Sequence, residues 1–586
     1  MKYLSKYIAM YKKESILAPL FKMLEALFDL FVPIVVARII NVGIVQKDTK
    51  YILLCCGLLV VMAVIGLLCS FTAQYFAAKA ATGCATSLRH ELFAHIQQLG
   101  FSEVDTIGTS TLITRMTSDI NQVQNGLNLF LRLFLRSPFI VFGAMVMAFT
   151  IQVKIALIFV ITIPVLAIIV FGIMRLTSPM YKQVQNRLDK VTGVTRENLS
   201  GVRVVRAFGK EEEEVSRFKV ANRNLVNLQM GVGWVSSLMN PLTYVVVNLG
   251  IIAILNSGAV AVNNGSLLSG DIVALVNYMS QILVELVKLA NLVVSISKAM
   301  ASLSRVENVL DTENSMSFPK DSKQVADVSL DKGNTCKEEV IRFQHVSLKY
   351  QGAGEEALTD ISFCVKKGET VGVIGGTGSG KSSLVNLIPR FYDATSGQVL
   401  LNRQPIQNWT REDLRKQVSV VMQKAQLFAG TIRSNMQWGK EDASDEQIWK
   451  ALQIAQAQEF VKSKPGKLDE EVEQGGRNLS GGQRQRLTIA RALVAEPKIL
   501  ILDDSASALD YATDAALRKS LKELPEDTTV VIVSQRTSSL QHADQILVLD
   551  DGALVGVGRH EALLESCEVY REIYESQFQK GDEGHV

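Results

Sequence analysis

Gly375-Gly376-Thr377-Gly378-Ser379-Gly380-Lys381-Ser382 is the stretch that decides the reading of this chain. It fits the phosphate-loop pattern GxxxxGK[ST]. Thr370 to Ile374 before it is a short β-like run, and Ser383 to Ile388 after it starts a helix that stops at Pro389. In such a strand–loop–helix unit the glycines let backbone N–H groups curl around phosphate oxygens. The helix N-terminus adds positive potential. Lys381 would reach the β- and γ-phosphates, and the Ser382 hydroxyl would ligate magnesium. Ser383 is counted with the same ATP-binding set.

Further along, Lys498-Ile499-Leu500-Ile501-Leu502-Asp503 is an apolar strand ending in an acid. Many buried strands end in Asp. Downstream of a phosphate loop, however, the pattern reads as a Walker B strand, in which Asp503 holds magnesium directly or through water. The C-terminal part is therefore expected to be an α/β nucleotide-binding domain, residues 339–580, with a polar tail at 581–586.

The chain has 586 residues, too many for one compact domain. Hydrophobic residues make up 48% and charged ones 20%, which suits an apolar half joined to a polar half. A formal net charge of +3 gives no basic excess that would point to nucleic acid. The seven cysteines form no CxxC or Cys/His cluster and read as buried thiols, not a disulfide framework. The N-terminus, Met1 to Glu14, carries four lysines and runs directly into an apolar span, which reads as a retained anchor.

A membrane-crossing helix needs about 20 mostly apolar residues. Six stretches before residue 310 qualify. Ile52–Ala78, Ser137–Val153 and Ile155–Met174 carry no charge. Met230–Gly270 is also uncharged but breaks at Asn263-Asn264-Gly265, where an external loop is expected. The sixth span, about Ile272 to Ser297, includes Glu285 and Lys288. The first, about Ile16 to Ile44, includes Lys22, Glu25, Asp29 and Arg38. Lys and Arg concentrate at the N-terminus and after the second and fourth spans, so both termini are expected in the cytoplasm.

The connections after the second and fourth spans are long and keep helical periodicity, as at Leu88, Leu92, Ile96 and Leu99. Helices are expected to run well past the bilayer and turn back near 101–109 and 201–210, where they would touch a cytoplasmic domain. Glu25 and Asp29 share a helix face. A cationic-substrate site is one reading. Internal pairing with Lys22, or placement in a wet vestibule, is the reading preferred here. Residues 311–338 are polar, aperiodic and read as a linker.

Between the two nucleotide motifs lies Leu479-Ser480-Gly481-Gly482-Gln483-Arg484-Gln485-Arg486. This run resembles the LSGGQ signature of ABC ATPases, and the layout of the whole chain is similar to a bacterial ABC exporter half-transporter. The resemblance implies a six-helix membrane domain, 1–310, followed by one ATPase cassette. It implies that Gln423 is the Q-loop glutamine meeting magnesium and the membrane domain. Tyr350 falls where the family has a ring stacking on adenine, and Ser507-Ala508-Leu509-Asp510 matches the D-loop. The segments 101–109 and 201–210 fall where the family has its coupling helices. Family ATP sites form between two cassettes, each phosphate loop facing the other's signature. This chain has one phosphate loop, so a second half-transporter is required as partner.

Two positions depart from the family pattern. Asp504 stands where a catalytic Glu is usual, and Gln535, in Val531-Ile532-Val533-Ser534-Gln535-Arg536, stands where a switch His is usual. Gln474 is a third, weaker departure. Asp is one methylene shorter than Glu, and a misplacement of about 1 Å can cost about a hundredfold in rate. Gln can donate a hydrogen bond but cannot carry charge as His can. The resemblance therefore implies a heterodimer. Lys381, Asp503, Asp504 and Gln535 would build a degenerate site, and Ser480, Gly481, Gly482 and Gln483 would complete the partner's competent site. The alternatives are a homodimer hydrolysing slowly at two equal sites and a nucleotide-gated regulatory subunit that transports nothing. The expected cargo is a small hydrophobic or amphipathic substrate, and the expected place is the bacterial inner membrane.

Overall fold

The computed structural model describes residues 2–319 and 339–578. They fall into two units: Met1–Gln97 with Thr109–Thr312, and Gln98–Gly108 with Glu313–Val586. Most of the expected linker, and the whole of the expected tail, lie outside the described residues.

The first unit is helical. In chain order come α1 (Lys12–Arg38), prolonged by a π-helical turn to Ile44, and α2 (Thr49–Gln98). The short α3 (Phe101–Ile107) follows. The third apolar stretch is split at Phe134–Leu135 into α4 (Ile120–Leu133) and α5 (Arg136–Ile151). Then come α6 (Val153–Ser200), the short α7 (Val202–Ala207), α8 (Glu211–Ser237), α9 (Met239–Asn263) and α10 (Ser269–Leu310). Among the described residues six helical stretches are long and apolar enough to cross a membrane. At 1.5 Å per residue, α2 with its 50 residues is about 75 Å long, more than twice a hydrocarbon core of about 30 Å. The short helices α3 and α7 stand within the two segments where the chain was expected to turn back.

Side chains of this unit are sorted as lipid solvent requires. On α2 the bulky Leu53, Leu54, Val60, Leu68 and Phe71 point outward, while Cys55, Met62, Cys69, Ala73, Ala77 and Ala80 are buried. Lipid tails are as apolar as Leu, so helices associate through close packing of small residues. On α1 the buried stripe is Ala18, Lys22, Ala26, Leu30, Pro33 and Ala37, spaced at a helical period. It packs with Ile140 and Ala144 of α5 and with Leu275, Tyr278 and Met279 of α10. A Cβ on Gly126 of α4 would sit 2.2 Å from the Cβ of Ala299, so a larger residue there would push α4 and α10 apart.

The buried charges of the first unit pair with one another. Lys22 Nζ lies 2.6 Å from Glu25 Oε2, the pairing preferred from the sequence. Asp29 turns instead to Arg136, at 3.0 Å, and Arg136 also reaches Glu285 at 2.8 Å. Ser137 Oγ donates to the second Glu285 oxygen at 2.8 Å, and Lys288 Nζ lies 2.9 Å from the first. Arg136 is the hub, at the start of α5 where the third stretch breaks.

The second unit is an α/β domain. Its strands are β1 (Glu339–Leu348), β2 (Leu358–Lys366) and β3 (Thr370–Gly375), followed by α11 (Lys381–Leu387). Next come β4 (Ser396–Leu401), β5 (Gln404–Pro405), β6 (Val418–Val421), α12 (Asp445–Ile454) and α13 (Gly481–Val494). The chain continues as β7 (Ile499–Asp503), α14 (Tyr511–Leu521), β8 (Thr529–Val533), β9 (Gln545–Asp550), β10 (Ala553–Gly558), α15 (His560–Ser566) and α16 (Glu568–Phe578). One sheet has the order β10-β9-β3-β8-β7-β6, parallel except for β10. A second, antiparallel sheet has the order β2-β1-β4-β5. Strands β3, β7, β8 and β9 are nearly continuous runs of Val, Ile and Leu, as expected for parallel strands covered on both faces.

Segment Gln98–Gly108, with α3, groups with this second unit and not with the helical one. The reason is local. Phe101 packs against Phe391 with ring centroids 4.5 Å apart and the rings tilted by 31°, and Tyr392 Oη donates to Asp105 at 2.5 Å. The N-terminal domain bounds expected from the sequence, 1–310, therefore run across a piece that packs elsewhere.

Candidate nucleotide site

Strand β3 delivers the phosphate loop at the C-terminal edge of the parallel sheet, where open α/β folds place their ligands. A Cβ on Gly375 would meet the Leu549 carbonyl oxygen at 2.1 Å, so the loop leaves the sheet only because no side chain is there. Gly380 takes φ +91°, a left-handed conformation favourable only to glycine, and so turns the chain into α11. Lys381 then lies at the head of the helix. Its Nζ donates to the carbonyls of Gly375, at 2.9 Å, and Gly376, at 2.5 Å.

A cleft of about 250 Å³ opens beside this loop. Thr377, Gly378, Gly380, Lys381, Ser382 and Ser383 line one side. Gln423, Asp503, Asp504 and Gln535, from the ends of β6, β7 and β8, line the other. Adjacent parallel strands bring these positions together although Gln423 and Asp504 are 81 residues apart in the sequence. Ser382 Oγ donates to Asp503 Oδ1 at 3.1 Å, and Gln423 Nε2 donates to Asp504 Oδ2 at 3.3 Å. Burial pushes the Asp503 carboxyl above the usual carboxylate range and the Lys381 ammonium below its usual value. Both shifts mark charges held away from water, which a phosphate–cation ligand would compensate.

The donor set suits magnesium. Ser382, Asp503 and Gln423 each offer a hard oxygen from the two sides of the cleft, and magnesium, which completes its octahedron with water and phosphate oxygens, needs no protein cage. Among the described residues no cluster of three His, Cys, Asp or Glu forms such a cage.

Other expected residues stand apart from this cleft. Tyr350 is half-buried, gives its hydroxyl to Ser383 Oγ at 2.9 Å and meets Tyr392 edge to face at 5.1 Å. It borders the loop without lining the cleft. Ser480 caps α13 in a reciprocal box: Ser480 N–H donates to Gln483 Oε1 at 3.0 Å, and Gln483 N–H donates to Ser480 Oγ at 3.3 Å. Ser480, Gly481, Gly482 and Gln483 do not line this chain's own cleft. Ala357, Val533 and Ser534 do line it and carried no signal in the sequence. Phe391-Tyr392, the seat of α3, was also missed; its one cue is an aromatic pair just beyond Pro389.

Residues 15–286 match the ABC transporter transmembrane region, and residues 358–507 match the ABC transporter family proper. An uncharacterized ABC transporter ATP-binding protein, YfiB of Bacillus subtilis, is 35% identical over 584 residues, covering 99% of both chains. This chain belongs to the ABC transporters. Another similar member is the ATP-dependent lipid A-core flippase of Mannheimia succiniciproducens, 30% identical over 97% of this transporter and 96% of the flippase. The fold is that of a bacterial Atm1-family ABC exporter solved with ATP bound, with TM-score 0.77 over 97% of this chain and 100% of that one, at 23% identity. The transporter is a multi-pass membrane protein with a C-terminal ATPase cassette, and it is an ATP-driven transporter.

Proposed function

We propose that this transporter is the degenerate-site half of a heterodimeric exporter. The observation that carries the reading is Asp504. It sits directly after the buried Asp503 on the cleft wall, in a left-handed backbone conformation (φ +43°), and its carboxylate is engaged by Gln423. A carboxylate one methylene short, on a backbone this constrained, falls short of a water that must line up behind the γ-phosphate. Gln535, beside it on the same side of the cleft, supplies a neutral hydrogen-bond donor where the family uses a histidine. ATP would bind and dwell here.

Magnesium, when bound by Ser382, Asp503 and Gln423, would neutralise charge between the β- and γ-phosphates. Lys381 would orient the phosphates, and the backbone of 376–380 would cradle them. The signature Ser480–Gln483 is not part of this chain's own cleft. That supports a site shared with a second half-transporter, whose phosphate loop it would complete. Turnover there would drive the membrane helices between inward and outward openings. Kinship with a lipid A-core flippase supports an amphipathic cargo in the bacterial inner membrane.

The test is to tag this chain in its native membrane, purify it gently and determine subunit masses. A second, different half-transporter at equal stoichiometry, carrying a catalytic Glu and a switch His, supports the proposal. This chain alone, as a dimer of itself, refutes it.

A further inference from the structure

The C-terminal helix α16 ends on the loop that carries Gln535. Gln577, in its last turn, spends its whole side-chain amide there. Gln577 Oε1 accepts from Thr537 N–H and from the Thr537 hydroxyl, both at 2.9 Å. Gln577 Nε2 donates to the Gln535 carbonyl at 2.7 Å. Thr537 is fully buried, so its donors depend on this partner. On the other side of Gln535, Ser534 N–H donates to the Val373 carbonyl at 3.1 Å, tying the loop to β3 and so to the phosphate loop. The backbone of 534–537 is thus held from both ends, and Gln535, a lining residue of the cleft, stands between the two holds.

The helix that brings Gln577 is itself anchored. Tyr570 is fully buried among Ile374 of β3, Ile546 and Val548 of β9, and Leu563 of α15. Its hydroxyl lies 2.7 Å from His560 Nδ1. A long flexible residue at a frayed helix end would ordinarily be solvated. Here it meets one carbonyl and two donors at once, the complement of a primary amide.

We infer that Gln577 is a positioning residue for nucleotide binding: it sets the backbone from which Gln535 addresses the γ-phosphate of ATP. The inference rests on the reading of Gln535 as the phosphate-facing residue of this chain's site. Loss of the clamp leaves Gln535 chemically intact but lets its tip wander, and about 1 Å is enough to matter.

The experiment uses the full-length transporter purified with the half it assembles with. An azido-ATP crosslinks to whichever chain holds it, so nucleotide kept by this chain during a chase with unlabelled ATP is read separately. Gln535→Ala and Gln577→Ala are each expected to release nucleotide about tenfold faster, the factor for one lost hydrogen bond to a charged group. The double variant is expected to be no faster than either single one, because both remove the same contact. Gln577→Glu keeps the acceptor for Thr537 and loses the donor to the Gln535 carbonyl. It is expected to release fast at an unchanged Tm, which a merely structural residue would not do. Slow release by Gln577→Ala beside fast release by Gln535→Ala overturns the inference, and so does an additive double variant. Unaltered release by Gln535→Ala overturns the underlying reading of Gln535 instead, and the inference with it.

Discussion

Gln423 Nε2 donates to Asp504 Oδ2 at 3.3 Å, joining the end of β6 to the end of β7 across the mouth of the nucleotide cleft. The two positions are 81 residues apart. They meet because β6 and β7 are parallel neighbours, with Val421 opposite Leu502. The Asp504 carboxylate is therefore held by a second residue that lines the same cleft.

Lengthening the Asp504 carboxylate is the direct test of the proposed degenerate site. Asp504→Glu is expected to raise ATP hydrolysis at this chain's phosphate loop by about tenfold to a hundredfold, the cost of about 1 Å in placement. The measurement is ATPase activity of the assembled transporter with the partner's catalytic carboxylate removed. Asp504→Asn should change that background little.

Asp503 carries a pH prediction. Burial raises its folded pKa above the unfolded value of 3.8, so folding favours the protonated form. The resulting stabilisation is complete below the unfolded pKa and is lost as pH rises through the folded one. At neutral pH without nucleotide the ionised Asp503 is a net burden. Asp503→Asn is expected to raise the nucleotide-free Tm by about 2 °C at pH 7, with the difference from wild type vanishing in acid, while magnesium–ATP binding is lost. Thermal scans at several pH values check it.

The seat of α3 predicts a coupling defect. Phe101→Ala removes the ring contact with Phe391, and Tyr392→Phe removes the hydrogen bond to Asp105. Aromatic pairs are worth about 1 kcal/mol, or about fivefold. Each variant is expected to lower transport by about that factor while ATP affinity stays unchanged, as read by vesicle uptake beside nucleotide binding.

Arg136 predicts a stability effect in the membrane domain. It is nearest to Glu285, Asp29 and Glu25 together, and the Glu285 side chain is only 4% exposed. Arg136→Ala removes the cation shared by Glu285 and Asp29 while Lys288 still pairs Glu285 and Lys22 still pairs Glu25, and is expected to cost about 1–3 kcal/mol. Arg136→Lys should restore part of this, since Lys keeps the charge but not the planar fork. Thermal unfolding in detergent distinguishes the three proteins.

The amino-acid order by itself determined the local and strongly periodic features. Long uncharged runs must become membrane helices, because lipid offers no partner to an exposed backbone. Gly375–Ser382 between a β-like run and a helix must form a phosphate loop, because the glycines and the lysine have no comparable use elsewhere. The acid ending Lys498–Asp503 could be placed beside it for the same reason.

Tertiary structure alone decided what depends on distant packing. It chose Arg136 as the partner of Asp29, because charge pairing between helices depends on which faces meet and not on spacing along one helix. It moved Gln98–Gly108 out of the helical unit, because two aromatic residues nearly three hundred positions away provide its seat. It set Gln577 against Gln535 and Thr537, a polar contact between a chain end and a loop that no periodicity encodes. Hydrophobic runs and glycine loops carry their structure in contiguous sequence, within about 20 residues. Single hydrogen bonds and ion pairs acquire partners only when the core has fixed where each element lies.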